Sequence, residues 1–223
     1  MEEKKKEKKK RKFVINNPFF DFMGEIGDWV GLNILFLITS VPLVTVGASL
    51  TALYKVMMKK SRDEAPYPAA LYLRTFRQEW RQSTALWLIL LVSGTILGFD
   101  FLYVSGAWRH WSAGILRYWN VGLGCLLLVW LMVFSYVFPL QAYFENSVKN
   151  TLKNAFLMSV RHAPFTLVLV AANSLPLLCL AFSPVLTWLL TPVYLVIGFS
   201  MTAGLGVQVF ERIFAEYIEE YVS

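Results

Sequence analysis

Charge is scarce in this chain of 223 residues: Asp, Glu, Lys and Arg make up 16% of it, against about 25% in soluble domains. Cysteine is nearly absent, and Cys125 and Cys179 stand too far apart in sequence for a disulfide framework or a metal knuckle. Only two histidines occur, His110 and His162, and the topology derived below puts them on opposite membrane faces, where they cannot share a metal. Walker lysine, HExxH, GxSxG and Rossmann glycine patterns are all missing. These absences exclude recognisable catalytic chemistry, so neither enzyme activity nor a cofactor is expected. What remains is 57% apolar and 16% aromatic, with a mean hydropathy of +0.51. An ordinary soluble globule is excluded, and so is disorder outside the N-terminus. The composition is that of an all-α, polytopic helical membrane protein.

The net charge of +6 is a property of one tail. Lys4, Lys5, Lys6, Lys8, Lys9, Lys10, Arg11 and Lys12 face only Glu2, Glu3 and Glu7. Residues 1–16 therefore read as a disordered polybasic cytoplasmic tail that orients the protein and attracts anionic lipid. No fold or aromatic platform follows it, which argues against nucleic-acid binding. No short apolar core with a small-residue cleavage site follows either, so the segment does not read as a signal peptide.

Residues 17–223 read as one integral membrane helical domain. A bilayer-crossing helix takes about 20 mainly apolar residues, and spans are expected near 84–104, 119–140, 164–182 and 184–206, with Ser183-Pro184 separating the last two. Asp28–Met58 is too long for one span and holds Pro42 and Gly47 in its middle. Read as a hairpin, it gives spans near 25–41 and 47–61. The positive-inside rule favours the hairpin. It puts Lys55, Lys59, Lys60, Arg62, Arg74, Arg77 and Arg81 on the same side as the tail, with Lys149, Lys153, Arg161 and Arg212, and leaves Arg109 and Arg117 outside. Six membrane helices follow, both termini cytoplasmic, Leu43–Val46 near the outer surface, and Ser49 or Thr51 available to cap the returning helix. Its short length leaves open whether 47–61 spans or is re-entrant.

Two further segments have helical amphipathicity. Pro68–Gln82 sets Tyr72, Phe76 and Trp80 against Arg74, Arg77 and Arg81, the pattern of a helix packed on the bilayer interface or on an acidic partner. Glu145–Arg161 sets Val148, Leu152, Ala155 and Phe156 against Lys149 and Lys153, with Asn146 placed to cap it. These segments are the candidate lipid or partner interface. Polar residues within spans are costly and often functional. Asp100, Asn33, Asn120, Asn173 and Pro176 therefore form the candidate intramembrane path, although interhelical hydrogen bonds explain the asparagines equally well.

Asn17-Pro18-Phe19-Phe20, the stretch from Leu32-Asn33 through Val41-Pro42-Leu43-Val44-Thr45-Val46-Gly47-Ala48-Ser49, Thr51-Ala52-Leu53-Tyr54, Phe138-Pro139-Leu140 and Leu152-Lys153-Asn154-Ala155 resemble the YesL family over about residues 13–215. The resemblance implies a multi-pass plasma membrane protein of Gram-positive bacteria with no established activity and no known site residues to carry over. Relatives of this kind often accompany carbohydrate uptake, which implies an accessory or partner component associated with transporter subunits. The alternative is a small permease acting as a homodimer.

Overall fold

The computed structural model describes residues 18–107, 113–182 and 184–222, with side chains described for all but 18, 21, 105–107, 113–117, 175–182, 184 and 216–222. The basic tail, Arg109, His110 and Arg117 lie outside the residues or side chains so described. Among the described residues there is no strand. The elements are α1 (Pro18–Ser40), a 3-10 turn (Leu43–Thr45), α2 (Val46–Ser61), α3 (Pro68–Ala107), α4 (Ala113–Tyr143), α5 (Val148–Arg161), α6 (Ala163–Phe182), α7 (Pro184–Val193), a π turn (Tyr194–Gly198) and α8 (Phe199–Val222).

Four described helices are long and apolar enough to cross a bilayer: Phe22–Ser40, Pro68–Val104, Tyr118–Tyr143 and Val185–Ala215. A fifth is reached if the bent pair Val148–Arg161 and Ala163–Ser174, at 109° to each other, counts as one span. The expected six is not confirmed among the described residues; α2 has 16 residues, about 24 Å at 1.5 Å per residue. Apolar side chains dominate the outside: Val92, Ile96, Phe99 and Tyr103 of α3 and Trp188 and Leu189 of α7 are all exposed. A patch of this kind is unusual on a monomer in water and is the ordinary lipid-facing surface of a multi-pass membrane protein.

The hairpin at Pro42 is present. Proline ends α1 because the residue before it is pushed out of the helical region, and Thr45 Oγ1 fastens the turn by donating to the Thr39 carbonyl at 2.6 Å. Three details depart from expectation. Ser49 and Thr51 do not cap α2. They lie within it and donate back to the Thr45 and Gly47 carbonyls. Gly47 supplies no left-handed backbone; it supplies room, since a Cβ there would collide with the Ser83 carbonyl oxygen and stand 2.6 Å from Trp87 Cβ. The turn is also tied to the near end of the α3 apolar stretch. Trp87 Nε1 donates to the Leu43 carbonyl at 2.7 Å, and Thr39 and Tyr72 share a 2.7 Å hydroxyl contact. Trp87 lies 17 residues before Val104, about 25 Å along the helix. The reach expected from two full crossings is therefore not matched by these anchors.

Pro68–Gln82 and Thr84–Val104 are one continuous helix. No Pro or Gly falls between Pro68 and Gly94, so the change from amphipathic to uniformly apolar leaves the backbone unbroken. Likewise α4 runs through Pro139 to Tyr143 and does not close at Phe138-Pro139-Leu140. α5 is capped by Ser147, which accepts from the Asn150 amide, and not by Asn146.

Although α2 is the shortest candidate span, it is the centre of the bundle, enclosed by α1, α3, α4 and α8. Ala48, Ala52 and Val56 are fully buried, and Tyr54 meets Phe210 edge to face at 6.2 Å. Phe210 continues the contact to Tyr136 of α4 at 5.1 Å and stacks on Phe214 at 5.6 Å. At the end of the bundle where α2 closes with Lys59, Lys60 and Arg62 (the basic end), Lys60 pairs with Asp28 of α1. This contact brings the two ends of the hairpin together.

Candidate functional site

The most fully bonded of the candidate polar residues is Asn33, buried on α1. Its Nδ2 donates to the carbonyls of Tyr194 and Leu195 at 3.1 and 2.8 Å. Its Oδ1 accepts from the amides of Phe199 and Ser200 at 3.0 and 3.1 Å. A π turn displaces the i→i−4 ladder and commonly marks functional positions in helices. Pro192, two residues before this one, already removes a rung. Asn33 therefore pairs the backbone groups on both flanks of the irregular turn.

Asn173 stands between two cavities. One, of about 260 Å³, lies among α3, α4 and α6 and is lined by Trp87, Gly94, Trp130, Phe134, Ser135 and Asn173 among others. Two of its lining residues, Asn173 and Ser135, are joined by a bond from Asn173 at 3.3 Å, and Trp130 donates to the neighbouring Ser93 at 3.0 Å. Gly94 admits the Trp130 ring, which a Cβ would meet at 2.5 Å. The other cavity, of about 330 Å³, lies between α6 and α8 over Tyr54. The first falls below and the second at the lower edge of ordinary ligand sites, roughly 300–1,000 Å³; the first is walled almost wholly by apolar atoms, while the second also carries Thr202, Gln208 and Arg212.

A polar layer closes the basic end. Gln141, buried on α4, donates to Glu79 at 2.9 Å and accepts from Gln82 and Thr151 at 3.1 and 3.2 Å; Gln82 also donates to the Asn146 carbonyl. Arg62 donates to Glu211 at 3.0 Å and to the Tyr143 hydroxyl at 3.2 Å. The Tyr143 hydroxyl and then Glu211 raise the pKa of the guanidinium above its ordinary value, against the opposing effect of burial. The inward face of α3 is thus spent on Tyr72, Thr75 and Glu79, and Arg74, Arg77, Trp80 and Arg81 remain exposed. Lys149 and Lys153 are exposed as well, on α5, a helix that touches α3. Phe76 is half-buried and packs on the core.

The other candidate residues do not join Asn33 and Asn173. Asp100 is exposed on α3 among Phe99, Leu102 and Tyr103. Asn120 keeps a buried side-chain carbonyl oxygen with no partner, so interhelical bonding does not account for that atom. Residue 176 lies inside the unbroken α6 helix, and the Pro176 side chain is outside those described. No group of three or more His, Cys, Asp or Glu among the described residues is arranged to hold a metal. Sequence reasoning missed Trp87, Ser93, Trp130, Ser135, Glu79 and Gln141. The signal present was helical spacing of polar residues against Trp, which reads equally as lipid-facing surface.

This architecture is that of an all-helical membrane protein with interior polar clamps. A family model described as a protein of unknown function, DUF624, matches residues 29–101, the segment from Trp29 of α1 to Phe101 of α3. The uncharacterized protein YesL of Bacillus subtilis (strain 168) is 28% identical over 153 residues, covering 67% of this chain and 69% of that protein. No solved structure matches the chain. The chain is thus similar to YesL and to the DUF624 family, in agreement with the resemblance carried by its motifs.

Proposed function

We propose that this protein is an accessory membrane subunit that seats a partner on its basic end, the partner being a component of a carbohydrate importer. The carrying observation is the outward arginine and lysine surface of two packed helices, Arg74, Arg77 and Arg81 on α3 with Lys149 and Lys153 on α5. Their inner faces are held by the Glu79–Gln141–Thr151 contacts, so the cations are presented on a fixed frame. Such a surface complements an acidic partner and gives specificity and association rate more than bulk affinity. The carbohydrate context rests on the family resemblance alone.

The α3–α4–α6 cavity favours this reading over a permease. A sugar offers many hydroxyls, each costly to bury unpaired, and the walls of that cavity are nearly all apolar. The homodimeric permease alternative rests on the interior asparagines and on Asp100. Uptake of sugars into proteoliposomes, lost in N173L and D100N, would restore it. The test of the main proposal is crosslinking in native membranes followed by identification of the captured proteins. Recovery of importer subunits, reduced when Arg74, Arg77 and Arg81 are all replaced by Gln, is the expected result. Failure to capture them, or capture indifferent to those replacements, overturns it.

A further inference from the structure

The α6–α8 face carries a groove that neither the Asn33 clamp nor the basic partner surface uses. It holds about 330 Å³, with Phe165, Val168 and Ala172 on one wall, Leu205 and Val209 on the other, and Tyr54 of α2 beneath. Small side chains create the space. At Gly206 a Cβ would already stand 3.6 Å from the Tyr54 ring and 3.7 Å from Leu169. Val168 and Leu205 are 62% and 52% exposed, so the groove opens sideways, in the direction of lipid chains.

Thr202 and Asn173 also line the groove, but its one charged side chain is Arg212, which lines it together with Gln208, both exposed. Glu211, next to Arg212, is already held by Ser61 at 2.6 Å and Arg62 at 3.0 Å. Among the described residues Arg212 forms no ion pair. Glu216 lies four positions on, with its side chain outside those described. A sideways apolar slot ending in a guanidinium fits one chemistry well: an acyl chain along the slot and an anionic headgroup on the arginine, whose planar fork suits phosphate oxygens. A zwitterionic choline headgroup would bring a second cation beside Arg212.

We propose that the α6–α8 groove binds an anionic phospholipid of the surrounding bilayer, with its headgroup on Arg212 and one chain over Tyr54. The full chain, purified in mild detergent and delipidated, is titrated with phosphatidylglycerol or phosphatidylcholine of identical chains, and bound lipid is counted by native mass spectrometry. Phosphatidylglycerol is retained in preference. R212Q loses about fivefold of that preference, the factor one basic residue contributes near an anionic surface. E216Q preserves or raises it, and A172F, which fills the slot, weakens both lipids alike. Unchanged preference in R212Q overturns the proposal, as does equal loss in E216Q and R212Q, or parental binding by folded A172F. R212Q alters an exposed side chain, so it decides the question even if A172F does not fold.

Discussion

Asn33 and Phe199 are 166 positions apart in sequence, yet the Asn33 Oδ1 accepts the Phe199 amide at 3.0 Å while the Asn33 Nδ2 reaches back to the Leu195 carbonyl at 2.8 Å. One side chain thus supplies an acceptor to one flank of a π turn and two N–H donors to the other, an inventory that the carboxamide provides in full. N33L removes both functions and strands buried backbone groups at roughly 1–3 kcal/mol each. N33D keeps an acceptor and loses the donor. Thermal unfolding in detergent is expected to rank parent above N33D and N33L. A fully stable N33L would mean that the π turn pairs its own backbone without α1.

The glycines divide by what stands over them. A methyl at Gly47 meets the Ser83 carbonyl oxygen and the Trp87 Cβ, both fixed parts of α3. G47A is therefore expected to force α2 from α3 and cost about 1–3 kcal/mol, the usual range for overpacking. At Gly122 of α4 a Cβ would have nothing within 4 Å, and G122A is expected to be neutral or to stabilise by about 0.5–1 kcal/mol. The paired unfolding midpoints check this, and equal shifts in the two variants would refute the distinction.

Gln141 joins three elements through Glu79 of α3, Gln82 of α3 and Thr151 of α5. Q141L leaves the Glu79 carboxylate without that donor and α5 without its polar anchor, a loss of about 1–3 kcal/mol. Amide exchange in Val148–Arg161 is expected to rise while exchange in α2 stays slow. Uniform acceleration throughout the chain would show that the contact supports the whole bundle and not the seating of α5.

What could be read in the sequence was whatever hydropathy and helix breakers control. The long apolar stretches and the reversal at Pro42 belong to that class. Asn33 was visible as a polar residue in a span, but its π-turn partners were not, because the displaced ladder at Tyr194–Gly198 has no compositional mark beyond Pro192. The continuity of α3 was missed for a related reason. Polarity changes near Gln82, and polarity governs solvent preference, whereas backbone continuity is governed by Pro, Gly and caps. Both cavities depend on small residues lying opposite rings from other helices, such as Gly94 under Trp130, and that pairing exists only in three dimensions.

The last prediction concerns the hairpin. Lys60 pairs with Asp28, so the two ends of Asp28–Met58 sit together at the basic end, while the turn between them is held by Trp87. A single uninterrupted crossing would separate positions 28 and 60 by about 48 Å at 1.5 Å per residue. The double variant D28C/K60C is therefore expected to be bridged in membranes by a short bifunctional thiol crosslinker, which spans the gap that a lysine side chain fills in the parent, seen as a mobility shift. The depth of the turn is a separate matter. Its anchor, Trp87, is about 25 Å along α3 from Val104, so a nitroxide at Val44 is expected to report the same bilayer depth as one at Leu88, and not that of one at Leu102. A hairpin crossing the full bilayer twice predicts the reverse, with Val44 matching Leu102. Crosslinking with a Leu88-like depth describes a re-entrant hairpin, entered and left from the basic end, whose exposed apolar tip of Val41, Leu43 and Val44 rests within the lipid.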